Sequence, residues 1–242
     1  DGLSGGPTLI AAVNELVQTL PQGYAGSGKT ALAFARAIRR ASEHRLRTMG
    51  HASGESCTTH LSVVDRHGNM VSLTNTLLSR FGSKVVLPGT DLLMNNGMMW
   101  FDPRPGQPNS IAPGVRPLAN MSPIIATQNN RPKLAVGAAG GRQIMPTVTQ
   151  LLAYVEAYGM SLEDAFHAPR LDASGVRLRV NRAARSGVAI TVGSEFPVEL
   201  IEDTLYPVNF AIPSAVLRDE GENVGMAHPN HPCAAVGAEA LP

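Results

Sequence analysis

The sequence predicts an α+β fold, with helices grouped beside short antiparallel strands, and three observations support this class. Apolar residues recur at helical spacing over residues 9–20, and a second helical pattern covers residues 30–49. From Thr58 onward the chain changes to short strands joined by tight polar turns, beginning with residues 61–64 and 70–73. Hairpins with helices grouped apart from them favour a layered sandwich over a doubly wound parallel sheet.

The rest of the chain continues the same alternation of strands and helices. A second hairpin is predicted at 124–127 and 133–136, helices at 146–158 and 161–165, and strands at 84–87, 176–180, 188–192 and 216–218. Residues 102–123 are dense in proline and glycine and predict a surface loop. The second helix carries arginines at positions 36, 39, 40, 45 and 47, which we interpret as a solvated face.

Composition limits the classes of partner. The chain has 242 residues, 43% of them hydrophobic, and a formal net charge of +1, which gives no reason to expect a nucleic-acid partner. No apolar run approaches the roughly 20 residues that span a bilayer, so no membrane partner is expected. The two cysteines, Cys57 and Cys233, are predicted to be free thiols, and no metal or cofactor is expected. We expect a soluble protein, cytoplasmic or periplasmic, with the compartment left open.

Residues 23–30 match the phosphate-binding pattern G-x-x-x-x-G-K-T, and Asp65 could end a magnesium-binding strand. A P-loop must follow a buried strand, whereas residues 9–20 have helical spacing. The strand before Asp65 also turns straight back at Gly68, although a parallel nucleotide-binding sheet needs a long crossover. We therefore favour a turn between two helices and keep a P-loop NTPase as a weaker alternative.

Thr58 opens the first strand and has the position of a threonine nucleophile. A threonine hydroxyl reacts poorly without an adjacent base, and its own backbone nitrogen is a free amine only after the preceding peptide bond is cut. Taken alone, Thr58 is an ordinary strand hydroxyl, and Gly140 with Gly141 is a turn before a helix.

A specific resemblance changes this interpretation. The segment TTHLSVVDRHGNMVSLTNT resembles the start of the small subunit of γ-glutamyltransferases, also called glutathione hydrolases. The likeness continues through LLMNNGMMWFDPRPGQPN, RPLANMSP, VGAAGGRQI, LEDAFHAPR, SAVLRD and GMAHP, in the family's order. It implies a four-layer αββα N-terminal-nucleophile hydrolase sandwich, with the last large-subunit helices in residues 1–57 and the small catalytic subunit in residues 58–242.

The resemblance also implies a mechanism. The precursor cuts itself between Cys57 and Thr58, and the new terminal Thr58 then attacks an amide. Thr76 matches the threonine that orients the nucleophile, and the backbone N–H groups of Gly140 and Gly141 match the oxyanion hole. The implied partners are the remainder of the large subunit, in a heterodimer or a dimer of heterodimers, and a small-molecule amide. No cofactor is implied.

The residues that hold a γ-glutamyl group in the family are not retained. Five positions of the predicted acyl-binding site carry other residues: Leu78, Gly97, Trp100, Ala119 and Asn120. Lost polar partners for a buried ammonium and carboxylate cost orders of magnitude in rate. Together with Met98 and Met99, this predicts a more apolar pocket and a donor other than a standard γ-glutamyl amide, as in acylase or amidohydrolase relatives. A true γ-glutamyltransferase and a catalytically silent member remain as alternatives.

Overall fold

The computed structural model describes residues 5–50, 57–204 and 208–239. The helices are α1 (Gly6–Thr19), α2 (Gly28–Thr48), α3 (Ile144–Glu156), α4 (Leu162–His167) and α5 (Ser186–Gly193), with 3-10 helices at Gly97–Trp100 and Gly141–Gln143. The strands are β1 (Cys57–Val64), β2 (Met70–Leu78), β3 (Val86–Leu87), β4 (Leu92–Leu93), β5 (Ile124–Gln128), β6 (Arg131–Ala139), β7 (Leu171–Asp172), β8 (Leu178–Asn181), β9 (Val198–Ile201), β10 (Ile212–Asp219) and β11 (Glu222–Ala227). The fold combines helices with mainly antiparallel strands, as predicted.

A four-stranded antiparallel sheet, in the order β11-β10-β6-β5, forms the middle of the fold. Leu134, Val136 and Ala138 of β6 belong to the hydrophobic core that includes α3. Gly137, which lies between them in β6, faces the β1–β2 hairpin instead. Because successive strand residues point to opposite faces, the helices cover one face of this sheet and the hairpin covers the other.

The β1–β2 hairpin has its polar side facing inward. Its half-buried, sheet-facing positions carry threonine, histidine and serine, while its outer positions carry Leu61, Val63, Val71 and Leu73. These four apolar side chains are between 43% and 51% exposed. A hairpin on a core ordinarily buries its apolar side. The described residues thus form a helix layer and two stacked sheet layers, and they place no helix layer over the outer face of the hairpin.

The arginines of α2 are less solvated than the sequence predicted. Arg36 pairs with Glu195, and Arg39 donates to the backbone carbonyls of Gly175 and Val176. Arg40 pairs with Glu15 at 3.0 Å. The prediction of a solvated face holds in part: Arg36, Arg40 and Arg47 are exposed, whereas Arg39 and Arg45 are partly buried. Several of these side chains also attach α2 to neighbouring segments. Arg39 in particular holds a loop that lines the cleft considered below.

Residues 188–192, predicted as a strand, lie in helix α5. Their valine, isoleucine and threonine content favours a strand locally. Val188 and Val192 stand four residues apart, however, and both are buried. Helix α5 packs against the start of α2, where Thr191 lies so near Gly28 that a Cβ there would meet its hydroxyl at 2.3 Å. Tertiary packing overrides the local preference.

The favoured prediction of a turn between two helices is confirmed, and the weaker P-loop alternative is wrong. Residues 23–30 connect helix α1 to helix α2, and no strand precedes them among the residues described. Ser27 caps α2 by accepting a hydrogen bond from the Thr30 amide at 3.1 Å. The Thr30 hydroxyl, which would bind magnesium in a P-loop, is buried against the Tyr24 carbonyl and the Tyr158 hydroxyl. Asp65 accepts hydrogen bonds within the β1–β2 turn.

Candidate active site

A β-bulge lies where β1 begins. Thr58 stands opposite Thr76, but Cys57 stands opposite Leu78, so Leu77 is an additional residue in β2. Leu78 has a φ of 70°, which is uncommon for a residue with a bulky side chain. Bulges bend the strand and redirect side chains, and they occur often beside active sites. The bulge therefore sets the local geometry of the Cys57–Thr58 peptide.

Hydrogen bonds join this peptide to Thr76. The Thr58 hydroxyl donates to Thr76 Oγ1 at 3.1 Å, and the Thr76 hydroxyl donates to the carbonyl oxygen of Cys57 at 3.2 Å. The Leu78 amide donates to the same Thr76 oxygen at 3.0 Å. Thr76 thus holds the hydroxyl of one residue and the carbonyl of the residue before it. This is an arrangement that can orient a hydroxyl and polarise the adjacent carbonyl.

Gly140 and Gly141 end β6 and lead through a 3-10 helix into α3. Their φ values are 146° and 60°, in the region that favours glycine. A Cβ at Gly140 would lie 2.8 Å from the Cα of Ala211 on the neighbouring segment. Both the backbone conformation and the close packing therefore require glycine at position 140, which lines the same cleft as Thr58.

The cleft beside Thr58 has a volume of about 650 Å³ and a charged wall. Its charged lining residues are Arg142, Arg177, Arg179, Asp172 and Glu199. Arg179 lies 4.0 Å from Glu199, and Asp172 accepts hydrogen bonds from the amide and hydroxyl of Ser174. The cleft therefore offers polar recognition, with more basic than acidic side chains among the described residues.

The five residues predicted to bind the acyl group do not line this cleft. Leu78 is only 1% exposed, and its contribution near Thr58 is its backbone amide. Gly97 and Trp100 lie on the 3-10 helix that follows Asn96, whose amide bonds to the Leu77 carbonyl at 3.2 Å.

Ala119 and Asn120 lie outside the cleft, in contact with helix α2. Arg45 donates to the Ala119 carbonyl at 2.6 Å and to the Asn120 side chain at 3.1 Å. Burial, together with the nearby positive charge of Arg142, lowers the pKa of Arg45 to about 10. Arg142 lines both the large cleft and a smaller cavity beside Asn120.

The methionines expected to make the pocket apolar face outward. Met98 is 62% exposed and Met99 is 58% exposed. The apolar acyl pocket inferred from the sequence is therefore not formed around Thr58 by the described residues. Charged side chains from the segment 172–179 and from Arg142 occupy that wall instead.

A polar cluster lies next to Thr58 that was not predicted from the sequence. The imidazole of His60 lies between the hydroxyls of Thr74, 2.8 Å from Nδ1, and Ser62, 3.0 Å from Nε2. Burial lowers the pKa of His60 to about 4. The available signal was the alternation of polar residues along both strands, which marks one face of a hairpin.

The fold and the threonine pair define an α+β protein in which a hairpin threonine is a candidate nucleophile. Comparisons with known proteins identify its family. The structure is similar to cephalosporin acylase from Bacillus halodurans, with a TM-score of 0.70, 21% identity, and coverage of 98% of this chain and 50% of that one. The gamma-glutamyltranspeptidase family model matches residues 11–225. The chain belongs to the gamma-glutamyltranspeptidase family.

Relatives with different names are about equally similar. The chain is 41% identical over 143 residues to an acylase ACY 1 proenzyme from Pseudomonas sp. (strain SE83), covering 59% of this chain and 26% of that protein. It is 40% identical over 117 residues to a glutathione hydrolase proenzyme from Bacillus subtilis (strain 168), covering 48% and 20%. The matches therefore span about a quarter or less of the length of these relatives.

Over residues 5–50, 57–204 and 208–239, no helix combines the length and the apolar character needed to cross a membrane. The same ranges contain no group of three or more histidine, cysteine, aspartate or glutamate side chains arranged to bind a metal ion.

Proposed function

We propose that this chain is part of a self-processing amide hydrolase or acyltransferase in which Thr58 becomes the terminal nucleophile. The observation that carries the proposal is the pair of hydrogen bonds from Thr58 to Thr76 and from Thr76 to the Cys57 carbonyl. A hydroxyl and the preceding carbonyl share one partner, at a bulge in the strand. Membership of a family with proenzyme relatives supports the same conclusion.

The processing step uses groups that are already in place. Thr58 Oγ1 bonds to the carbonyl carbon of Cys57, and the C–N bond breaks as the proton of the hydroxyl is transferred to the Thr58 nitrogen. Thr76 stabilises the negative charge on the Cys57 oxygen through its hydrogen bond. Water then hydrolyses the resulting ester, which leaves a carboxylate on Cys57 and a free amine and hydroxyl on Thr58.

The same Thr58 hydroxyl then attacks the substrate amide, with its own amine as the base. Gly140 and Gly141 are the proposed oxyanion donors, because Gly140 lines the cleft with Thr58 and both lie at the start of a helical segment. The substrate C–N bond breaks and the amine leaves with the proton that the Thr58 α-amine took from the hydroxyl. Water or an amine then resolves the acyl-enzyme. None of these steps requires the described residues of the cleft to bind a metal or a cofactor.

The charged wall of the cleft bears on the choice of donor. Arginine binds a carboxylate through paired hydrogen bonds, and Arg142 follows directly after the glycine pair. The polar residues that the resemblance assigns to γ-glutamyl binding are absent at positions 78, 97, 100, 119 and 120, which supports a donor other than a standard γ-glutamyl amide, and the cleft is lined by other residues. The arginines of the cleft, by contrast, favour the alternative of a true γ-glutamyltransferase. In that case they would hold the donor carboxylate in place of the side chains that the family ordinarily uses.

The outer face of the hairpin is the proposed contact for the remainder of the large subunit. Leu61 pairs with Leu73 across the strands and Val63 pairs with Val71, which makes one continuous apolar face. Exposed apolar faces of this kind mark interaction surfaces. The curated relatives are proenzymes about four to five times as long as the matched region, which provides a covalently linked segment as the occupant.

Denaturing electrophoresis with mass measurement of the full-length protein tests the proposal. Wild type should yield a fragment that begins at Thr58, and Thr58→Ala should stay uncut, whereas Thr58→Ser should be cut slowly. An uncut wild-type chain would contradict the proposal. Turnover of γ-glutamyl-p-nitroanilide beside simple acyl and dicarboxylic acyl amides then identifies the donor. A clear preference for the γ-glutamyl compound would support the alternative function.

A further inference from the structure

We propose that His60 is a positioning residue, which holds Thr58 in register for reaction by fitting its neutral ring into a space opposite Gly137. The inference rests on the proposed role of Thr58 and assigns a function to a side chain outside the cleft. It is carried by contacts between the β1–β2 hairpin and the central sheet.

Three cross-strand pairs occupy the inward face of the hairpin. Thr58 stands opposite Thr76, His60 opposite Thr74, and Ser62 opposite Ser72. All six side chains are polar and partly buried against the four-stranded sheet. His60 is the largest of them and is the neighbour of Thr58 on this face, about 7 Å along the strand.

The hydrogen bonds determine which nitrogen of His60 carries the proton. The Ser62 hydroxyl donates to the backbone carbonyl of Ser214 at 3.3 Å, so it must accept a hydrogen bond from His60 Nε2. In a neutral ring, Nδ1 is then the acceptor for the Thr74 hydroxyl at 2.8 Å. Both ring nitrogens are satisfied by a neutral imidazole.

The His60 ring packs against the four-stranded sheet at Gly137. A Cβ on Gly137 would lie only 2.3 Å from the Cε1 atom of His60, so glycine is the residue that admits the ring. The main chain is held at the same point, because the Ser214 hydroxyl donates to the His60 carbonyl at 3.4 Å. The His60–Gly137 contact thus fixes where β1 lies along β6 and β10.

Register matters here because a slip of one residue turns every side chain of a strand to the opposite face. Such a slip would direct Thr58 away from Thr76 and the cleft and would bring Thr59 inward. Smaller shifts matter as well, since a displacement of about 1 Å can cost about 100-fold in rate. The residue that sets the position of β1 therefore controls the reactivity of Thr58 without contacting the substrate.

The test compares His60→Ala with Ser72→Ala in the full-length protein. Ser72 is on the same buried face and bonds to the Val136 carbonyl at 3.2 Å, but it lies farther from Thr58. His60→Ala should slow the appearance of the Thr58 terminus about 10- to 100-fold. Ser72→Ala should cleave close to the wild-type rate. Melting temperatures measured in parallel separate loss of stability from loss of positioning.

Two further variants keep the test decisive if His60→Ala folds poorly. Gly137→Ala leaves the histidine in the sequence but fills its space, and it should slow cleavage to a similar degree. His60→Gln retains a donor and an acceptor and should recover part of the rate. In the processed enzyme, the loss should appear in kcat with KM nearly unchanged, as expected for a nucleophile that is misplaced.

The outcomes separate the two proposals. An uncut wild-type chain would contradict the role of Thr58, and the role of His60 with it. If wild type is cut and His60→Ala is cut equally fast, only the role of His60 is overturned. The same holds if His60→Ala and Ser72→Ala slow cleavage in proportion to their losses of melting temperature.

Discussion

The hydroxyl of Thr76 donates to the carbonyl oxygen of Cys57 at 3.2 Å, across the bulge that interrupts β1 and β2. Thr76 Oγ1 in turn accepts hydrogen bonds from the Thr58 hydroxyl and from the Leu78 amide. Cys57 and Thr76 are therefore joined before any chemistry occurs, and the peptide between Cys57 and Thr58 lies beside a side chain that can stabilise its carbonyl.

Replacing Thr76 by valine keeps the shape of the side chain and removes its hydroxyl. We expect Thr76→Val to slow cleavage before Thr58 about 100-fold, because the Cys57 carbonyl loses its donor and Thr58 loses its acceptor. The rate is measured by electrophoresis and mass over time. Thr76→Ser should recover most of it. Thr59→Val, an exposed position on the opposite face, serves as the matched control. Equal rates in Thr76→Val and Thr59→Val would refute this role.

Gly140→Ala should reduce both stability and turnover. An alanine at a φ of 146° is strained, and its Cβ would lie 2.8 Å from Ala211. Displacing a backbone donor of the oxyanion hole costs about 100- to 1,000-fold in kcat. Steady-state kinetics and thermal melting measure the two effects. Gly187→Ala, whose Cβ would meet open space, should behave as wild type. A wild-type kcat in Gly140→Ala would argue against the proposed oxyanion hole.

His60 should contribute to the loss of stability in acid. Burial holds its folded-state pKa at about 4, below the value of 6.5 for an exposed histidine. As the pH falls below about 6.5 the unfolded chain binds a proton that the folded chain does not, so stability declines until about pH 4. Urea unfolding at pH 7, 6 and 5 measures this trend. In His60→Gln the decline over this window should be smaller, and an identical decline would show that His60 does not titrate as described.

Placing a charge on the outer face of the hairpin should weaken association with the rest of the protein. Leu73 is 51% exposed in the described chain and is expected to be covered in the assembled protein. A buried unpaired charge is costly, so Leu73→Lys should weaken subunit association about tenfold or more. Size-exclusion chromatography of the processed protein measures this. Val17→Lys, on an exposed position of α1, is the control. Unchanged association in Leu73→Lys would mean that this face is not the contact.

Local patterns were sufficient to predict most elements near the threonine pair. The β1–β2 hairpin, helices α2 and α3, and the β5–β6 hairpin follow from periodicity and turn residues, which act over short distances in the chain. The family was recognised from motifs, and the family model confirms it. The opposition of Thr58 and Thr76 is a consequence of a short hairpin, because the tight turn at Gly68 determines the strand pairing.

Other features depend on contacts between distant parts of the chain. Residues 188–192 form a helix because they pack on α2, and Arg39 and Arg45 of α2 donate to carbonyls more than 70 residues away. The charged wall of the cleft comes from Arg142, Glu199 and the segment 172–179, and among the described residues Met98 and Met99 do not line it.

The sequence alone therefore determined the family, the hairpin and the candidate nucleophile, since each rests on short motifs, and each motif consists of residues close together in the chain. Tertiary structure decided which side chains surround Thr58 and how it is held. The space for His60 exists because Gly137 of β6 lies opposite it, 77 residues further along the chain. Such complementarity arises only when the hairpin is packed on the sheet, and no local pattern records it.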